Sequence, residues 1–356
     1  MMDNKTRLQQ TFSLQKADRP PILGGWLAAP NHVQALAGCS EDEYYDDPYH
    51  WGIAAERMLG SDALVGVFEP KVRGGYRIVD EETLAERAHY TVDSMLEDIR
   101  QQPDVDEIRA SFDEEAEYAC FAAELKKHQA DCGEIVWCPA YWDIIPIALW
   151  YGTYGYETAF SALALHTDQY RKLIRTSAET AHQKATLLGR AVREGLHPAA
   201  VLTGEDICSQ SGPMVSPKFL RKEYWTLVEY AWEPLKAAGV KIVWHCDGDV
   251  RPLLPDILAS GADGLQGFQR ECGLELEWIV DLRTRMGSPL LIFGPMEVAT
   301  KFRNGTPADI RQEVRHSMEL CRDKAALTFF TSNTITPDIP LENVKTYWQA
   351  VHESRW

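Results

Sequence analysis

No stretch of the 356-residue chain approaches the roughly 18 unbroken apolar residues that a membrane span requires. The first residues, MMDNKTRLQQTFSLQKADRPP, hold no apolar core of signal-peptide length. Basic charge is in deficit: 36 Lys and Arg stand against 53 Asp and Glu, a net charge of −17. That surplus repels phosphates, so neither nucleic acid nor an anionic membrane surface is expected as a partner. CxxC, HExxH, P-loop and GxGxxG motifs are all missing, as are short internal repeats and low-complexity linkers. The eight cysteines are scattered, several of them (Cys120, Cys138, Cys321) in apolar or helical contexts. In a chain this long they read as reduced thiols and point to a cytoplasmic protein, not a disulfide framework.

What is present is alternation. Eight apolar runs bounded by Gly, Pro or Asp recur along the chain: PPILGGW (20–26), DALVGVF (62–68), EIVWCPA (134–140), AAVLTGE (199–205), VKIVWHC (240–246), DGLQGF (263–268), PLLIFGP (289–295) and ALTFFTS (326–332). Helical spacing fills most of the intervals. SPKFLRKEYWTLVEYAWEPLKAAG predicts a helix with Ser216 as N-cap, Pro217 at its first position and Gly239 as its stop. TPADIRQEVRHSMELCRD predicts another, opened by Thr306 and Pro307, and PLENVKTYWQAVHESR closes the chain. Unbroken apolar strands alternating with helices predict a parallel sheet covered on its faces. Eight such units fit an α/β protein with a closed (β/α)8 TIM barrel, a doubly wound open sheet being the alternative. A single domain over 1–356 is expected. Extra helices are expected between the second and third strands (80–104) and between the third and fourth (143–195).

In such barrels the active site lies where the strands end. The segment HCDGD, residues 245–249, is therefore polar because it faces the mouth. Neighbouring strand ends contribute Trp26, Asn31 and His32; Glu69, Lys71 and Arg73; Tyr141, Trp142 and Asp143; and Glu205, Asp206 and Cys208. Later ones add Gln266, Gln269, Arg270 and Glu271, then Met296 and Glu297, then Ser332, Asn333 and Thr334. Glu205, His245, Asp247 and Glu297 form a candidate metal set, and Glu205, His245 and Asp247 are the candidate catalytic groups. Catalytic zinc takes about three N, O or S ligands and keeps a position open. Side chains alternate along a strand, so His245 and Asp247 share a face and Cys246 points away. The alternative is that His245 is a hydrogen-bonded barrel residue and the carboxylates contact polar substrate groups. The aromatic run CPAYWDIIPIALWYGTYGYE suggests a wall for a flat ligand. Trp26, Tyr141, Trp142, Gln269 and Asn333 are the expected substrate contacts, and packing of the extra helices accounts for the other rings. Both monomer and homodimer fit this surface composition.

The segments GEDICSQSGPMVSPKFLRKEYW, AAGVKIVWHCDGDVRPLLPDILASGADGLQGFQ, IFGPMEVATKF and TITPDIPLENV, in this order and spacing, resemble the uroporphyrinogen decarboxylase-like superfamily. The resemblance runs from about Asp18 to the C-terminus and implies a (β/α)8 barrel. Decarboxylases of that superfamily hold tetrapyrrole carboxylates with arginines after the first strand, whereas GGWLAAPNHVQ contains none. The cobalamin-dependent methyltransferase branch uses zinc and a corrinoid protein. Its coenzyme M members carry His-x-Cys after strand five and a further Cys after strand eight. His245 matches, but Asp247 and Asn333 stand in the thiolate positions. An oxygen-rich site suits the polarisation of an ether oxygen better than the holding of a thiolate. The resemblance therefore implies an O-demethylase-type enzyme, with a corrinoid protein and a small-molecule methyl donor as partners. Transfer in the opposite direction, from methyl-corrinoid to a thiol or folate, and a non-catalytic binding barrel are the alternatives.

Overall fold

The structure, a computed structural model, describes residues 2–70, 73 and 89–356. Each of the eight apolar runs contains a strand: Leu23–Gly24, Ala63–Leu64, Val136–Trp137, Ala200–Gly204, Lys241–His245, Gly264–Gln266, Leu291–Phe293 and Ala326–Thr328. They are numbered here as strands one to eight. All pairings between them are parallel, strands one to three forming one arc and four to eight the other. A bridge between Ile22 and Phe329 joins strand eight to strand one, with Leu23 N–H donating to the Phe329 carbonyl at 2.8 Å. The result is the (β/α)8 barrel expected from the alternation.

Period-2 alternation decides which side chains fill it. Leu23, Ala63, Val65, Val136, Cys138, Ala200, Leu202, Val243, Leu291, Phe293 and Phe330 form one buried cluster inside the barrel. Leu8 and Phe12, from the first helix Asn4–Phe12, belong to the same cluster and plug its floor. Residues between these in sequence, such as Val201, Ile242, Trp244, Leu265 and Ile292, belong to the outer core under the helices.

An ion network ties the floor helix to the strands. Asp62, 1% exposed, accepts from Arg7 at 2.7 Å, from Arg19 at 2.7 Å and from the Ile22 N–H at 2.8 Å. Arg7 also donates to Asp18 at 2.8 Å, and that hydrogen bond holds the Asp18 carboxyl down at about 2. A depressed carboxylate contributes stability above its unfolded value, near 3.8, and loses it as pH falls toward 2. With Asp18 partly exposed, the contribution is about 1–2 kcal/mol. Asp18→Asn is accordingly expected to flatten the acid limb of a stability-against-pH curve below pH 4. An unchanged limb would remove Asp18 from that account.

The seam between strands three and four carries no ladder. Val136 and Cys138 donate toward strand two, which leaves the Trp137 N–H and the Ile135 carbonyl without a strand partner. The Gln129 amide answers them instead, accepting from Trp137 N–H at 2.9 Å and donating to the Ile135 carbonyl at 3.0 Å. Higher up, Tyr141 N–H donates to the Leu202 carbonyl at 2.9 Å and draws the two arcs together.

The extra helices lie where expected, with two differences. The excursion before strand three runs on past residue 104, through helices Val92–Gln101, Val105–Ser111 and Glu114–Cys132. Its first residues, 80–88, lie outside the described residues. The helix expected from Ser216 to Gly239 is two, Pro217–Glu223 and Trp225–Ala237. It breaks at Tyr224, whose hydroxyl is bound to the Pro146 carbonyl and the Glu205 carboxylate. The insert after strand three is helical over Tyr151–Tyr154, Tyr156–Leu165 and Thr167–Arg193. Among the described residues, no helix is long and apolar enough to cross a membrane.

Candidate metal centre at the barrel mouth

Strand four pairs with strand five in the register Gly204 to His245. Ala200, Leu202 and Val243 point into the barrel, so Gly204 and His245 do as well, and Asp206 and Asp247 continue that face beyond the strand ends. One ligand atom from each of Asp206, His245 and Asp247 lies within 4.8 Å of the others. His245 Nε2 is 3.5 Å from Asp206 Oδ1 and 4.0 Å from Asp247 Oδ1.

Each member is held from behind. The Asp247 N–H donates to Asp206 Oδ1 at 2.8 Å, and Asn333 Nδ2 donates to Asp247 Oδ2 at 2.8 Å. Asn333 is itself oriented by the Thr334 N–H, which donates to its Oδ1 at 2.7 Å. Gly248 N–H donates to Gln269 Oε1 at 2.6 Å, fixing the turn that follows Asp247. Tyr151 reaches down from the insert to donate to the Asp206 carbonyl at 3.0 Å.

Asp247 Oδ1 is buried and has no hydrogen-bond partner. Burial pushes the Asp247 carboxyl up, and neighbouring Asp206 adds to the rise. Two carboxylates converge on one imidazole nitrogen, one of them with an unsatisfied buried oxygen. That donor set fits a divalent cation, one nitrogen and two oxygens being within the usual ligands of catalytic zinc.

Two of the expected ligands sit elsewhere. Glu205 has the opposite parity to Gly204 and Asp206, and its carboxylate leaves the barrel. It accepts from the Ala148 N–H at 2.9 Å, the Leu149 N–H at 2.7 Å and the Tyr224 hydroxyl at 2.9 Å. Burial pushes its carboxyl up to about 7 against those hydrogen bonds. Glu205 anchors the insert, and Asp206 takes the place expected for it. Glu297 is spent in the same way: it accepts from the N–H groups of Ala299, Thr300 and Lys301 and from the Thr300 hydroxyl.

Among the expected substrate contacts, Trp26 and Trp142 come to the centre. Their rings stand edge-on to His245 at centroid distances of 5.7 and 5.5 Å, and Trp142 is 46% exposed at the rim. Tyr141 does not come: its ring turns outward against Phe121 and His197. Asn333 and Gln269 are present as supports of Asp247 and Gly248. Cys246 is buried and faces away, as alternation requires. His32 is structural, its Nε2 bound to the Ile339 carbonyl at 2.6 Å. The cations expected at the mouth are engaged elsewhere, Arg270 with Glu313 at 2.6 Å and Arg73 with Asp42. Lys71 lies outside the described residues.

Residues 98–354 match the family model described as uroporphyrinogen decarboxylase, and the chain belongs to that family. No curated protein matches it. A solved methyltransferase from Methanosarcina mazei is 15% identical, with 99% of each chain covered and a TM-score of 0.59, a likeness of fold.

Proposed function

We propose that the protein moves a methyl group from a methoxylated, aromatic compound to the cob(I)alamin of a corrinoid protein, with zinc held by Asp206, His245 and Asp247. The observation that carries this reading is the unpartnered, buried Asp247 Oδ1 beside His245 Nε2 and Asp206. When bound, the ion would supply Lewis-acid charge for the oxygen that leaves as its methyl group departs. Trp26 and Trp142 flank His245 with apolar ring surface, which favours a flat donor and keeps water from the ether oxygen. The rim position of Trp142 leaves the approach from the mouth to the partner.

The family bears the decarboxylase's name, but the loop after strand one contains no arginine, and Arg73 and Arg270 are paired away from the centre. Among the described residues, a ring of substrate carboxylates would meet Asp206 and Asp247 with no arginine turned toward it. The same carboxylates suit a cation and a neutral ether.

Metal content by elemental mass spectrometry, on protein purified without chelator, tests the reading. About one zinc per chain is expected, falling to near zero in His245→Ala. Loss of the cob(I)alamin spectrum with methoxybenzoates as donors should then follow the metal-bearing protein. No metal in either protein would overturn the metal-assisted reaction.

A further inference from the structure

We infer that Gln266 is a positioning residue that locks His245 in the tautomer protonated at Nδ1, so that Nε2 presents a lone pair to the cation site. This rests on the reading of Asp206, His245 and Asp247 as a metal centre.

Gln266 is 3% exposed and ends strand six, whose residue Gln266 pairs in register with His245. Its amide has one orientation available. Nε2 donates to two backbone carbonyls, Thr331 at 2.8 Å and Ser332 at 3.1 Å. Reversing the amide would set its oxygen against two carbonyl oxygens and leave two buried acceptors unpaired. With Nε2 committed, Oε1 is the atom that meets His245 Nδ1, and it can only accept. The imidazole therefore carries its proton on Nδ1. The other nitrogen, Nε2, is the one that faces Asp206 and Asp247.

Gly267 clears the space for this contact. Its φ is +87°, and a Cβ there would stand 2.9 Å from His245 Nδ1. The chain of orientation thus runs from the backbone after strand eight, through Gln266, to the ring of strand five. A hydrogen bond of this kind to the far nitrogen of a ligating histidine fixes both ring angle and basicity, and its loss usually costs 10–100-fold in metal affinity.

The test uses the metal-free protein first, so that it does not depend on methyl transfer. With ¹⁵N-labelled histidine and His245→Ala to assign the signal, wild type should show a protonated Nδ1 and an unprotonated Nε2 at His245. Gln266→Met should show a mixture of tautomers and bind Zn(II) 10–100-fold more weakly. Circular dichroism confirms that the variant is folded. Should Gln266→Met misfold, the wild-type signal still decides the matter, since a neutral ring protonated on Nε2 overturns the inference. An unchanged tautomer and zinc affinity in folded Gln266→Met would also overturn it. If the wild type holds the Nδ1-protonated tautomer yet binds no zinc, the metal reading fails and the positioning of the ring by Gln266 stands.

Discussion

Asparagine at position 247 is expected to lower zinc affinity by about 100-fold or more and methyl transfer by 10²–10³-fold. Its effect on the folded apo-protein should be near zero. The substitution keeps the shape of the side chain and an oxygen to accept from Asn333 Nδ2. That acceptance turns the new amide nitrogen toward the position of Oδ1, where the aspartate has a buried oxygen without a partner. An amide nitrogen offers hydrogens and no lone pair, so the site loses a ligand without losing its support. Removing the charge also relieves the repulsion between Asp206 and Asp247. Melting curves separate the two effects. Zinc should raise the melting temperature of the wild type by linkage and leave that of Asp247→Asn unmoved. Equal zinc responses in the two proteins would remove Asp247 from the ligand set.

The second large effect belongs to Gly204, the last residue of strand four. A Cβ at this position would overlap the backbone carbonyl oxygen of His245 on the neighbouring strand. The obstacle is main chain held in a parallel ladder, so no rotamer can yield; strand five has to move away or the register has to slip. Gly204→Ala is expected to cost at least about 3 kcal/mol, in the range where single substitutions disrupt a specific packing contact. What survives folding should have lost zinc, because His245 and Asp206 would no longer converge. Gly212→Ala is the matched control. Gly212 also has a positive φ, +116°, but a Cβ there meets nothing within 4 Å, so only backbone strain of about 1–2 kcal/mol is added. Equal urea midpoints for the two variants would show that conformation, not contact with His245, makes glycine necessary at 204.

The strands were legible because unbroken apolar runs must be buried on both faces, and in this chain only a parallel sheet under helices buries eight of them. Which side chains meet at the centre was half legible. Alternation within HCD separates His245 and Asp247 from Cys246 without any structure. Choosing between Glu205 and Asp206 needs the register of strand four against strand five, and nothing local encodes that. Given Gly204 opposite His245, parity selects Asp206 at once and sends Glu205 to the helices. Glu297 misled for a related reason, since a carboxylate just past a strand can serve the mouth or close the next turn, and its fate depends on which N–H groups the loop turns inward. The Tyr224 break was hidden because the segment keeps helical periodicity through it. Its cause is a hydroxyl committed to Pro146 and Glu205, partners far away in sequence.

A barrel whose strands are all laddered is a hoop, and strain applied anywhere is shared around it. Here the hoop is interrupted between strands three and four, where the Gln129 side chain caps the free edge of strand three and the Tyr141 N–H alone reaches across to the Leu202 carbonyl at 2.9 Å. The insert that sends Tyr151 to Asp206 leaves the wall at that interruption. Strands four, five and six, which lead to Asp206, His245 and Gln266, lie together on one unbroken ladder beyond it, so the three residues share a single rigid frame.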